Sequence, residues 1–171
     1  EIRNCDWSSD VCSSDLAYVE VSPPQESIQG TQWWTSYQPV SYKLDSKLGT
    51  EAEFKNMVQQ CSAAGVGIIA DVVLNQTTGA DVAAGDQKGV AGSEYNGSTG
   101  SYPGFATKQY PDGITAADFH SCTKNISDYT NQKEVQECRL SSMWDFNSES
   151  EKVQDIQSDY LASLWNAGVR G

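Results

Sequence analysis

The spacing of apolar and polar positions divides the chain into segments of different period. Tyr18 to Val21 is a short β-rich run, and Pro23 and Pro24 stop any regular element after it, so it reads as a strand entering a loop. Thr50 and Glu53 stand at capping-box spacing, and Phe54, Met57, Val58 and Cys61 follow at helical intervals up to Gly65. This spacing predicts an amphipathic helix. Val66 to Leu74, VGIIADVVL, is nearly continuous apolar sequence around one aspartate, the pattern of a strand buried on both faces of a parallel sheet. Strand, helix and strand over this distance form a βαβ unit. Ser148 and Glu151 repeat the capping-box spacing, Val153, Ile156, Tyr160, Leu161 and Leu164 recur at helical intervals to Gly168, and Val169 to Gly171 starts another strand.

Between Thr77 and Ser121 neither period holds. Eight of the 14 glycines lie from Gly79 to Gly113, among Ser, Thr, Asn, Asp and Tyr. An irregular excursion of this length inside a compact domain carries function or forms a small subdomain. At the other end, Asp6 to Leu16, DWSSDVCSSDL, alternates serine and aspartate with neither period. It resembles the conceptual translation of a common sequencing adapter, and residues 1–16 are set aside as a non-native leader.

Composition narrows the classes. The chain has 171 residues, 38 % hydrophobic and 10 % aromatic, enough bulky apolar groups for a packed core. Eleven Lys and Arg against 23 Asp and Glu leave a net charge of -12, which repels phosphate backbones and excludes nucleic acid as a partner. No apolar run reaches the roughly 18 residues of a membrane span, and no charged n-region followed by an apolar h-region opens the sequence. With a single histidine, His120, no His-rich metal site can form, and any His-dependent triad would rest on that residue. The five cysteines are an odd number, which means a free thiol or a missing partner. Without the leader, Cys61, Cys122 and Cys138 remain.

The alternation of strand and helix has the rhythm of a (β/α) barrel, for which about 250 residues are typical. The chain therefore reads as part of a larger domain. VSPPQE (Val21 to Glu26), QWWTSYQPVSYKL (Gln32 to Leu44), DVVLNQ (Asp71 to Gln76) and CRLSSMWDFN (Cys138 to Asn147) together resemble the α-amylases of glycoside hydrolase family 13, of the animal and actinobacterial type. The resemblance runs from about Ala17 to Gly171.

It implies an α/β fold, a partial TIM (β/α)8 barrel from the second to the start of the fourth strand, with an inserted loop-rich domain B. Residues 17–75 would hold strands 2 and 3 with their helix, 76–145 domain B, and 146–171 the third barrel helix and the start of strand 4. Trp34, Tyr37, Gln38 and Gln76 would line sugar subsites, since aromatic faces stack on the C–H face of a pyranose while polar groups bond its rim. Of the two tryptophans, Trp33 is read as core. Asn75, the backbone carbonyl of Gln136 and Asp145 would hold a calcium ion, supplying the hard oxygen ligands that calcium takes, and any chloride site would lie beyond Gly171.

Cys122 and Cys138 resemble the pair that staples domain B, while Cys61 would lack its usual partner and stay unpaired. Gln76 stands where the family has a sugar-contacting histidine; a carboxamide keeps donor and acceptor but cannot become cationic. The implied activity is retaining hydrolysis of internal α-1,4-glucosidic bonds by a secreted enzyme, monomeric when complete, with an α-glucan as partner and no membrane. Its catalytic aspartate, in an FRxD motif, its acid/base glutamate and its third aspartate would all follow Gly171, leaving this chain inactive alone. A family 13 transglycosylase or a noncatalytic glucan-binding relative is the alternative.

Overall fold

The computed structural model describes residues 16–171, so the leader lies outside the described residues except for Leu16. The first strand, β1, is Tyr18–Val21. Helix α1, Glu51–Ala63, follows a capping box in which Thr50 and Glu53 satisfy each other's backbone N–H groups, and it buries Phe54, Met57, Val58 and Cys61. Strand β2, Gly67–Ala70, then runs parallel to β1 with Tyr18 opposite Gly67 and Val21 opposite Ala70. A parallel pair needs such a crossover, and α1 supplies it.

The apolar run from Val66 to Leu74 was expected to be one long strand buried on both sides, but β2 is four residues long. Ile68 and Ala70 face the core, whereas Ile69 is exposed. Only one face of the sheet is covered by helices, and after Ala70 the chain turns away to reach the insert.

Within that insert, β3 (Gln87–Lys88) and β4 (Glu94–Tyr95) pair antiparallel, and a six-residue helix α2, Gln132–Glu137, is capped by the Asn131 side chain. Helix α3 is Glu151–Ala167. Its expected Ser148–Glu151 box does not form: Ser150 is the N-cap, without a side-chain bond, and the Ser148 carbonyl accepts from the Gln154 amide instead. At the other end Gly168 takes the left-handed conformation (φ 104°) that a side chain would resist, ending the helix where the sequence suggested. Beyond it, Arg170 N–H donates to the Ile68 carbonyl and Ala70 N–H to the Gly171 carbonyl. The last residues thus lie along the edge of β2 opposite to β1.

Two apolar cores result. The first gathers Leu44, α1, Val66, Ile68, Ala70, Tyr160, Leu164 and Val169; the second gathers Ile28, Val40, Tyr95, Tyr102, Phe105, Ile114, Phe119, Phe146, Val153 and Ile156. Helix α3 serves both, its first half burying Val153 and Ile156 with the insert and its second half Tyr160 and Leu164 with the sheet. Leu161, expected on this stripe, is exposed instead. Tyr42 packs against both cores, stacked on Tyr160 with ring centroids 4.3 Å apart and edge-on to Phe105 at 4.8 Å.

Cys122 and Cys138 form a disulfide that closes the segment carrying α2. Cys61 is also disulfide-bonded, correcting the expectation that it would be unpaired; its partner lies outside the described residues. Phe54 is the largest side chain of α1 in the first core and is almost fully buried. Phe54→Ala should therefore destabilise the protein by about 3–5 kcal/mol, from lost burial plus the cavity left behind. Urea unfolding of the two proteins checks this.

Candidate functional site

The end of β2 and the turn at Trp33–Tyr37 come together through hydrogen bonds. The turn is a short 3-10 helix closed by Thr35 N–H to the Gln32 carbonyl and Gln38 N–H to the Thr35 carbonyl. Trp33 stands edge-on to both Trp34 (6.1 Å) and Tyr37 (5.9 Å). Trp33 is 72 % exposed and Trp34 45 %, so the reading of Trp33 as core is wrong: a 3-10 turn of three aromatic residues cannot point them all inward, and Thr35 and Ser36 take the buried positions.

Tyr37 is tied to the strand end. Its hydroxyl donates to Asp71 Oδ2 at 2.6 Å, and its backbone carbonyl accepts from Gln76 Nε2 at 3.0 Å. The bond to the Asp71 carboxylate, followed by burial and the nearby negative charge, pushes the Tyr37 phenol up to about 12.

Gln38 is buried and fully engaged. Its Nε2 donates to both carboxylate oxygens of Asp81, at 2.8 and 2.7 Å, and its Oε1 accepts from Gly79 N–H at 2.9 Å. It therefore braces the first turn of the insert against the aromatic loop. No local signal pointed to Asp81, a solitary carboxylate in loop sequence.

Asn75 and Asp145 are 70 residues apart and in contact: Asn75 Nδ2 donates to Asp145 Oδ1 at 3.0 Å. The two ends of the insert are zipped together here. Phe146 N–H donates to the Asn75 carbonyl, Thr77 N–H to the Trp144 carbonyl and Trp144 N–H to the Thr78 carbonyl, with Gln76 bridged to Asp145. The Asp145 side chain is 5 % exposed, and burial raises its carboxyl against the opposing effects of His120 and Asn75. His120 Nδ1 lies 2.7 Å from Asp145 Oδ2, and His120 N–H donates to the Asp145 carbonyl. The sequence offered His120 only as a hypothetical triad member, and a partner 25 residues away carries no local signal.

Gln136 lies in α2 and is exposed; it is not among the hydrogen-bond partners of Asn75 or Asp145. Asn75 is exposed, with its amide nitrogen engaged. Among the described residues no group of three or more His, Cys, Asp or Glu side chains could hold a metal ion.

This geometry can be compared with known proteins. No family model matches the chain. It is 40 % identical over 154 residues to an α-amylase of Streptomyces violaceus, covering 90 % of this chain and 24 % of that protein. It is 38 % identical over 155 residues to an α-amylase of Pecten maximus, covering 90 % of this chain and 30 % of that one. Its fold matches wild-type α-amylase I of Eisenia fetida with a TM-score of 0.81 at 36 % identity, over 98 % of this chain and 33 % of that one. A point mutant of that enzyme, in complex with maltohexaose, matches at 0.82. The chain is thus similar in sequence and in fold to α-amylases. It spans about a quarter to a third of the length of these amylases.

The Gln38 brace is testable. Gln38→Ala strands the half-buried Gly79 N–H and one carboxylate, and should destabilise the protein by about 1–3 kcal/mol. Gln38→Glu places a second carboxylate against Asp81 and should cost more at pH 7 than at pH 4, where protonation restores a donor. Chemical denaturation at the two pH values reads both effects.

Proposed function

We propose that this chain is the part of a secreted, retaining α-amylase that forms one wall of its substrate cleft. In this reading β1 and β2 are the second and third strands of a (β/α)8 barrel, residues 76–145 are its domain B, α3 is the third barrel helix and Val169 to Gly171 starts the fourth strand. The supporting observation is the exposed aromatic turn Trp33–Tyr37 held against the end of β2, the strand end where barrel enzymes carry out their chemistry. A match to an amylase in complex with maltohexaose favours an α-glucan as the ligand.

Trp34 and Tyr37 offer ring faces to the apolar side of glucose units. Gln76 adds polar capacity at the rim, and Gln38 acts from behind by holding the Asp81 turn. The chemistry would be hydrolysis of internal α-1,4-glucosidic bonds by a carboxylate nucleophile and a carboxylic acid about 5 Å apart. Both groups belong to the longer protein, after Gly171, so the 171-residue chain should bind glucan without cleaving it. The longer protein acts as a monomer.

Asn75, Gln136 and Asp145 fit calcium in part. Asp145 is a buried carboxylate with no Lys or Arg within ion-pair distance among the described residues, and a cation there would relieve it. Asn75 donates from its amide nitrogen, so binding an ion would require the amide to turn its oxygen inward. The ion would supply structural cross-linking between the insert and the strand end.

Three outcomes are expected. Titration with maltohexaose should change tryptophan fluorescence, with several-fold weaker binding in Trp34→Ala; no spectral response in the parent chain would overturn the glucan reading. The purified chain should release no reducing sugar from soluble starch above a buffer blank. Calcium at 100 times its dissociation constant should add about 2.7 kcal/mol of stability, so a chelator should lower the melting temperature of the parent chain and leave Asp145→Ala almost unmoved. Equal shifts in the two proteins would remove Asp145 from the ligand set.

A further inference from the structure

The aromatic turn has little of its own to fix the angle of Tyr37. The bonds that brace its backbone, from Thr35 Oγ1 to the Gln32 carbonyl, from Lys47 Nζ to Thr35 Oγ1 and from Gln25 Nε2 to the Ser36 carbonyl, do not reach the Tyr37 side chain, and the Trp33 ring that touches Tyr37 is itself largely exposed. What holds Tyr37 comes from elsewhere in the chain. Asp71 is 34 residues away and accepts from its hydroxyl in a 2.6 Å bond; Gln76 is 39 residues away and donates to its carbonyl at 3.0 Å. Both belong to the six residues that follow β2.

We propose that Asp71 and Gln76 are positioning residues that clamp Tyr37 at its phenol and at its carbonyl, so that the strand end sets the plane of the ring offered to a glucan.

This inference rests on the glucan-binding reading for its consequence and on hydrogen-bond geometry for its substance. Two anchors on one residue, one at the tip of the side chain and one on the backbone, leave the ring little rotational freedom. The Tyr37 hydroxyl is consumed by Asp71, so the ring presents a face and not a donor to the sugar. The Gln76 amide is neutral and can hold the carbonyl at any ordinary pH. Its assignment as a direct sugar contact thus becomes secondary, since one of its two N–H groups is already spent on Tyr37.

A mutant cycle on the whole chain tests the clamp through two independent readouts. The first is maltohexaose affinity. Tyr37→Phe and Asp71→Ala should each weaken binding by about tenfold, the scale of a hydrogen bond to a charged group. The double variant should bind no more weakly than either single one, because both remove the same bond. Asp71→Asn, which keeps an acceptor oxygen and is the variant least disturbing to folding, should recover most of the affinity, and Gln76→Ala should add its own loss. Additive losses in the double variant would overturn the proposal.

The second readout is the ultraviolet titration of tyrosine, which needs no ligand. Asp71→Ala should return one phenol from about 12 toward its ordinary value near 10, and this step should vanish when Tyr37→Phe is combined with it. An unchanged tyrosine titration in Asp71→Ala would also overturn the clamp. If the parent chain fails to bind maltohexaose while the titration shifts as stated, the glucan reading falls and the clamp stands.

Discussion

The stack of Tyr42 on Tyr160 is where the two halves of the molecule become one structure. Tyr42 leaves the aromatic loop and enters a slot between the sheet-side core and the core of the insert; its partner lies near the middle of α3. Burial raises the pKa of both phenols, and each hydroxyl still has a partner: Tyr42 donates to the Val73 carbonyl and Tyr160 to Gln25 Oε1. Two rings thus join the first loop, the segment after β2 and the last helix at one point. A buried aromatic pair combines a large apolar area with polar tips that need satisfied bonds, and this makes the joint specific as well as stable.

Around the candidate site a common electrostatic arrangement recurs. Asp71 is held by the Tyr37 hydroxyl, Asp81 by the Gln38 amide and Asp145 by the Asn75 amide and the His120 ring. None of these three carboxylates has a Lys or Arg within ion-pair distance among the described residues. The Tyr37 hydroxyl and the Gln38 and Asn75 amides are neutral donors that stabilise a carboxylate without cancelling its charge, so the field around Asp71 and Asp81 stays negative, in keeping with the -12 of the chain.

Legibility from sequence followed the range of the interactions. Helix α1 could be read whole because Thr50, Glu53 and the stripe from Phe54 to Cys61 act within a few residues of one another. The start of α3 was misread by two residues, since Ser148 and Ser150 both resemble caps and only the path of the incoming chain chooses between them. Apart from Val153 and Ile156 on α3, the second core left no periodic trace: Tyr95, Tyr102, Phe105 and Phe119 are irregularly spaced in glycine-rich sequence. The meeting of Asn75 with Asp145 came from a family resemblance and not from pattern, because nothing local joins positions 70 residues apart. The Gln38–Asp81 and Tyr37–Asp71 pairs were missed for the same reason, although Asp71 lay inside a motif already singled out.

The division of α3 between the two cores bears on how the molecule can move. A hinge between an inserted lobe and its parent sheet needs a segment that belongs to neither, and here the same unbroken seventeen-residue helix is packed into both. Swinging the lobe would mean bending that helix or tearing half of it from its neighbours. The lobe and the sheet are therefore fixed in mutual orientation, and adaptation to ligands of different shape must come from side chains and short loops on a stiff frame.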